Sequence, residues 1–92
     1  MLDLAYTAQF KKDVKRKKRQ GADLRKLDRL ITKLRKCETL DEKLRDHELS
    51  GNWRGHRECH IEPDWLLIYK IEKDELILTA VRTGSHSELF NL

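Results

Sequence analysis

Ninety-two residues, 38% hydrophobic and 39% charged, make one small domain with an economical core, close to the lower limit of what folds without staples. With no apolar run of about 18 residues, no transmembrane helix is expected; the opening MLDLAYTAQFKK lacks the charged-then-apolar order of a secretory signal, so the expected compartment is the cytoplasm. The net charge of +4 hides an asymmetry: residues 1–36 carry 13 Lys/Arg against 4 Asp/Glu, a local +9, and residues 37–92 carry 7 against 12, a local −5, which points to a polyanionic partner, nucleic acid or acidic protein.

In chain order, LDLAYT (2–7) alternates Leu2, Leu4 and Tyr6 with Asp3 and Ala5, a short strand. Thr7 then caps AQFKKDVKRKKRQ, a helix with Phe10 and Val14 on one face, and Gly21 ends it. Asp23 caps LRKLDRLITKLRK, where Leu24, Leu27, Leu30, Ile31 and Leu34 form an apolar stripe at helical spacing. The break QGA is too short for a linker, so the helices form an antiparallel hairpin. CETLDEKLRDHELSGNW connects, with room for a helical turn or short strand, and ends at a Ser-Gly-Asn turn. Three strands follow over 54–62, 65–72 and 75–83, the last two joined by a turn at Lys73-Asp74. The nearly unbroken Leu66, Leu67, Ile68 marks the central strand, and GSHSELF closes with a turn or a single helical turn. The expected fold class is α+β: β-α-α-β-β-β, a twisted, mainly antiparallel sheet with two N-terminal helices on one face, as a single domain over 1–92.

Cys37 and Cys59 form no C-x-x-C pair and read as small buried or half-buried thiols. His56 and His60, four apart on a strand, are separated by about 13 Å, too far to share an ion. No metal and no cofactor are expected.

Alternation puts His56, Glu58, His60 and Glu62 on the face opposite Cys59 and Ile61. Antiparallel pairing of 65–72 with 75–83 brings Trp65 and Arg82 to one end, which also receives the Glu62-Pro63-Asp64 turn and His86. The set His60, Asp64, Trp65, Arg82 and His86 is thus expected to converge at one edge of the sheet. Imidazoles with a carboxylate suit general acid/base catalysis, an arginine fork suits a phosphate, and Trp65 with Phe90 suits stacking on bases. Together these describe RNA phosphodiester cleavage by the 2′-hydroxyl. Each has a plainer use taken singly: Asp64 as a turn residue, Trp65 as core, Phe90 pinning the C-terminus, Arg82 paired with Glu58 or Glu62. The case rests on their joint occurrence in a basic domain.

DHELSGNWRGHRECHIEPDWLLIYKI followed by VRTGSHSELF resembles the YafQ branch of the RelE/ParE superfamily of bacterial toxins, specifically over residues 46–90. The family's three segments, D-H-x-L-x-G-x-W, R-(D/E)-x-H-(I/V)-x-P-D-(W/L) and R-x-G-(S/T)-H-x-x-L-F, occur in order at matching separations. The resemblance implies the toxin of a type II toxin–antitoxin pair, an endoribonuclease that cuts mRNA in the ribosomal A site. It assigns the functional histidines to His47, His60 and His86 and the aspartate to Asp64. The phosphate-side arginine falls on Arg82, and the base-contacting aromatics on Trp65 and Phe90. In that frame Lys11, Lys12, Lys15, Arg16, Lys17, Lys18 and Arg19 grip ribosomal RNA with steep salt dependence. An acidic, partly disordered antitoxin is the other implied partner. Two rivals predict different behaviour: a non-catalytic toxin of the ParE type, indifferent to the histidines, and a plain RNA-binding module without strand cleavage.

Overall fold

A computed structural model describes residues 1–90. Strand β1 (Asp3–Tyr6) leads into helices α1 (Ala8–Arg19) and α2 (Leu24–Arg35); β2 (His47–Glu48), β3 (Arg57–Glu62), β4 (Trp65–Glu72), β5 (Ile77–Gly84) and α3 (His86–Phe90) follow. The five strands form one sheet in the order β1-β5-β4-β3-β2. Pairing is antiparallel except between β1 and β5, which run parallel. The expected class, layout and central strand agree with this. The connecting region holds two 3-10 turns, Glu42–Leu44 and Gly51–Trp53, flanking the two-residue β2; the second stands where a Ser-Gly-Asn turn was expected.

Local chemistry sets the helix ends. Thr7 accepts the Phe10 N–H and Asp23 the Arg25 N–H, each satisfying a donor left over in the first turn. At the end of α1, Gly21 takes φ 82° while its N–H donates to the Lys18 carbonyl and that of Ala22 to Lys17, the paired bonds of a Schellman stop. Helix α2 ends the same way without glycine: Cys37, at φ 58°, donates to Leu34 and Glu38 donates to Lys33. Cys37 is exposed, contrary to expectation, because this stop turns it outward; Cys59 is buried, and both thiols are free.

The α2 stripe of Leu27, Leu30, Ile31 and Leu34 packs with Phe10 on Cys59, Leu67, Tyr69, Leu78 and Ala80, the helix-side core. Burying each such aliphatic chain contributes about 1.5–3 kcal/mol. The opposite face is not fully open. Leu66 and Ile68 lie under Leu89 of α3, with Leu49, Trp53, Val81 and Phe90 around them. β4 is therefore covered on both faces, which explains its unbroken apolar run.

Two local expectations fail for physical reasons. The β4–β5 connection is a four-residue loop, Lys73 to Leu76, closed by Leu76 at φ 57°, because a two-residue hairpin turn of the favoured type needs positive φ at both central positions and Lys-Asp supplies neither. Glu62 leaves the face shared by Glu58 and His60, since the register shifts between His60 and Glu62, and it pairs with Lys26 of α2 at 2.8 Å. Between Ile68 and Tyr69 the β4–β5 register also shifts, inserting Val81 opposite the bend.

Candidate active site

Cross-strand register lays out the site. His47 pairs with Glu58, Glu58 with Ile68 and Ile68 with Arg82, one row across the sheet; His60 pairs with Leu66 and Leu66 with Gly84, the next. In antiparallel pairs opposed residues share a face. Both rows therefore belong to the side of the sheet away from α1 and α2. Just past Gly84, the sequence Ser85-His86-Ser87-Glu88 forms a capping box: Ser85 N–H donates to Glu88 Oε1 at 2.8 Å and Glu88 N–H to Ser85 Oγ at 3.2 Å. The box starts α3 over the two rows and puts His86 in its first turn.

His86 and Asp64 meet twice. The backbone N–H of His86 donates to Asp64 Oδ1 at 2.9 Å, and its Nδ1 lies 2.7 Å from the same oxygen. The backbone bond and then the ring bond hold the Asp64 carboxyl below its ordinary range. A carboxylate only accepts, so Nδ1 carries a proton and Nε2 is the exchanging atom. The His60 and His86 ring centroids are 5.6 Å apart. Glu58 Oε1 lies 3.3 Å from His60 Nε2 and 3.8 Å from His47 Nε2. His47 is turned by its other nitrogen, with Nδ1 2.6 Å from the Arg45 carbonyl oxygen. Sequence reasoning assigned Glu58 no role in the site; its strand alternation with His60 was the available signal.

Trp65 and Arg82 diverge from the convergence expected of them. Trp65 is 3% exposed and belongs to the helix-side core, with its indole Nε1 donating to Thr83 Oγ1 at 2.9 Å. In this packing the ring lies under Lys17 of α1 rather than open to a base, although its edge still lines the cleft beside Asp64; a sheet strand sends its first residue to whichever face the pleat dictates. Phe90 does lie on the site face, half-buried against Trp53 with centroids 6.5 Å apart.

Arg82 starts on the site face but its guanidinium donates through Nε and Nη2 to Asp13, both at 3.0 Å, rather than to Glu58 or Glu62. β1 stops at Tyr6, so the outer edge of β5 beyond Ala80 has no strand partner and α1 covers it. Asp13, 1% exposed, takes the Thr83 N–H at 3.2 Å along with donors from Gln9 and Arg16. Burial raises its pKa, but the hydrogen bonds from Arg82, Gln9 and Thr83 outweigh that and hold it below the ordinary carboxylate range.

The seven basic residues of α1 separate into two groups. Lys11, Lys12, Lys15, Lys18 and Arg19 are exposed. Arg16 and Lys17 instead turn toward Glu88 of α3, at 3.0 and 3.9 Å, and Lys17 Nζ sits 5.6 Å from the Trp65 ring centroid. A cleft of about 520 Å³ beside Asp64 lies between the α1–α2 and β3–β4 turns. A larger groove of about 1200 Å³, lined by His56, Arg57 and Tyr69, contains none of His47, His60, Asp64 or His86, so size does not mark the chemistry here.

Imidazoles contacting carboxylates on the sheet of a small α+β domain, next to a lysine-rich helix, form an arrangement able to exchange protons beside a polyanion. The chain belongs to the YafQ family: the family model described as the bacterial toxin of type II toxin–antitoxin system, YafQ, matches residues 2–91. It is 42% identical over 89 residues, 96% of this chain and 95% of the relative, to the mRNA interferase toxin YafQ of Escherichia coli strain K12. Its fold matches a metal-bound toxin from Helicobacter pylori with TM-score 0.92 and 43% identity, covering 98% of this chain and 100% of that one. It also matches a chain of the E. coli DinJ–YafQ complex with TM-score 0.88 and 41% identity, covering 98% and 99%.

The residues present fit a metal ion. Glu58, His60 and His86 each offer a ligand atom, and these atoms lie within 4.8 Å of one another. Two imidazoles and a carboxylate suit copper or zinc. The sequence weighs only His56 against His60, whereas this set joins β3 to α3, a proximity that spacing along one strand does not reveal. Among the described residues no helix is long and apolar enough to cross a membrane.

Proposed function

We propose that the chain is an mRNA interferase, the toxin of a type II toxin–antitoxin pair, that cuts mRNA in the A site of the ribosome. The carrying observation is the double contact of His86 with Asp64 beside the His47–Glu58–His60 cluster. Cleavage at a phosphodiester needs a base to take the 2′-hydroxyl proton as that oxygen attacks phosphorus. It needs an acid to protonate the departing 5′-oxygen, leaving a 2′,3′-cyclic phosphate and a 5′-hydroxyl. His47 and His86 share these roles through Nε2, with Nδ1 of each engaged by an acceptor. His60 and Glu58 lie between them and order the scissile phosphate and its protons. Arg82, anchored by Asp13 through Nε and Nη2, offers Nη1 to charge developing on the phosphoryl oxygens. Phe90 supplies the aromatic contact to a base.

The exposed Lys11, Lys12, Lys15, Lys18 and Arg19 meet ribosomal RNA phosphates. Arg16 and Lys17 act at one remove, by holding α3 through Glu88. The E. coli YafQ relative is found with DinJ; the partner of this chain is its own antitoxin, an acidic, partly disordered protein, and both act in the cytoplasm. A copper or zinc ion on Glu58, His60 and His86 would claim the lone pairs and carboxylate used for proton transfer, so this occupant inhibits rather than assists.

The test is cleavage of a labelled short mRNA on programmed ribosomes, with His86→Ala beside wild type. Cuts confined to the A-site codon, reduced at least about a hundredfold in the variant, are expected. Absence of cutting by the folded wild-type protein overturns the proposal. The Asp64 bond to the backbone N–H survives the substitution, so α3 keeps its place.

A further inference from the structure

His47 stands on β2, a strand of two residues paired to β3 through His47 with Glu58 and Glu48 with Arg57. Two pairs are a weak restraint for a group that must be held to within about 0.5 Å of its working position. The preceding segment 36–46 has one 3-10 turn and gives the core only the partly buried Leu40 and Leu44.

The missing restraint is Asp46. The Tyr69 hydroxyl donates to its Oδ1 at 2.5 Å and Arg57 Nε donates to the same atom at 3.2 Å. Arg57 and Tyr69 are cross-strand partners, and Tyr69 belongs to the helix-side core. Asp46 is thereby tied to the helix side of the sheet. Successive strand residues alternate faces, so His47 is sent to the other side, where Glu58 and His60 lie. Arg45, left-handed at φ 49°, turns its carbonyl toward His47 Nδ1 at 2.6 Å. A carbonyl only accepts, so Nδ1 keeps its proton and Nε2 faces the site. Burial and then the Asp46 contact push the Tyr69 phenol well above its ordinary range, so it remains a donor at every working pH.

We propose that Asp46, held by Tyr69 and Arg57, is the positioning residue for His47, a latch setting both the face and the tautomer of that imidazole. The catalytic consequence rests on the role given to His47 in the proposed function; the latch itself does not. Tyr69→Phe removes the donor and keeps the ring in the core, Asp46→Ala removes the acceptor, and Asp46→Asn keeps a neutral one.

Two readouts separate the claims: ¹⁵N chemical shifts of the histidine rings in the free protein, and single-turnover cleavage of a short mRNA on programmed ribosomes. In the wild type His47 is expected as the Nδ1–H tautomer. Tyr69→Phe and Asp46→Ala are expected to give His47 mixed tautomers, leave the His86 signals in place, and slow cleavage about tenfold or more with unchanged half-saturation in ribosomes. Asp46→Asn is expected to recover most of the rate. A Tyr69→Phe protein with wild-type circular dichroism that keeps the His47 tautomer overturns the latch, whatever its rate, and decides the matter even if Asp46→Ala does not fold. A changed tautomer with undiminished cleavage overturns instead the role given to His47.

Discussion

Asp64 Oδ1 accepts both the backbone N–H and the ring Nδ1 of His86, at 2.9 and 2.7 Å. One oxygen thus fixes the start of α3 and the tautomer of its histidine. Asp64→Asn keeps an acceptor for one donor but removes the charge that stabilises the imidazolium and permits the amide to turn its NH2 toward the ring. Cleavage on programmed ribosomes is expected to fall about a hundredfold or more, with thermal unfolding little changed because the carboxylate is exposed. Since the His86 contacts hold the Asp64 carboxyl below its ordinary range, it stays charged throughout neutral pH. The wild-type rate profile should therefore show no inflection from Asp64 above about pH 4.

Gly84 tests the placement of α3 without altering any of the histidines or Asp64. A Cβ there would meet Glu88 Oε1 at 3.0 Å, Arg16 Nη2 at 3.2 Å and Glu88 Cβ at 3.3 Å. The first two are ends of flexible side chains and can yield, but the Glu88 Cβ moves only with α3 itself. Gly84→Ala should lift the capping box and shift His86, costing about 1–2 kcal/mol of stability from overpacking and about tenfold or more in cleavage rate. Denaturant unfolding and the ribosome assay together check it.

Much of this fold was legible because period and punctuation agreed: Trp65–Glu72 fell where the apolar run lay, and Thr7, Asp23 and Gly21 marked real helix ends. Residues on one strand, such as Glu58 and His60, shared a face as alternation requires. What escaped depended on partners distant in sequence. Asp13, on a basic helix between Phe10 and Val14, looks solvated until the bare edge of β5 is known to need an acceptor. The Trp65 side was set by the pleat, and the Val81 insertion by a bend in one strand, neither carried by a turn residue. Asp46 was part of a quoted motif, yet its partner Tyr69 is 23 positions away.

Cys37 closes α2 at φ 58°, a conformation that costs a residue with a Cβ roughly 1 kcal/mol and glycine almost nothing. The side chain is exposed and the thiol free, so no packing is lost on removing it. Cys37→Gly should stabilise the domain by about 0.5 kcal/mol, the gain being partly offset by the greater freedom of glycine in the unfolded chain. A higher midpoint in urea with unchanged slope is the expected result; a lower midpoint contradicts the strain assigned to this stop.

Asp13 should make the domain acid-sensitive. Burial raises its pKa, yet bonds from Arg82, Gln9 and Thr83 leave it lowered overall in the folded protein. A group whose folded pKa is depressed contributes stability that is fully present above the unfolded value of about 3.9 and is lost as pH falls through the folded value below it. Asp13→Asn removes the charge and leaves the Arg82 guanidinium without its counter-ion, at about 3 kcal/mol. The melting temperature at pH 7 should drop by roughly 15 °C for a domain of this size. Between about pH 5 and pH 2 the wild-type stability should fall toward that of the variant, as the linkage relation requires. Parallel acid titrations by circular dichroism decide it: two curves that remain equally separated down to pH 2 mean that Asp13 contributes through packing and not through its charge.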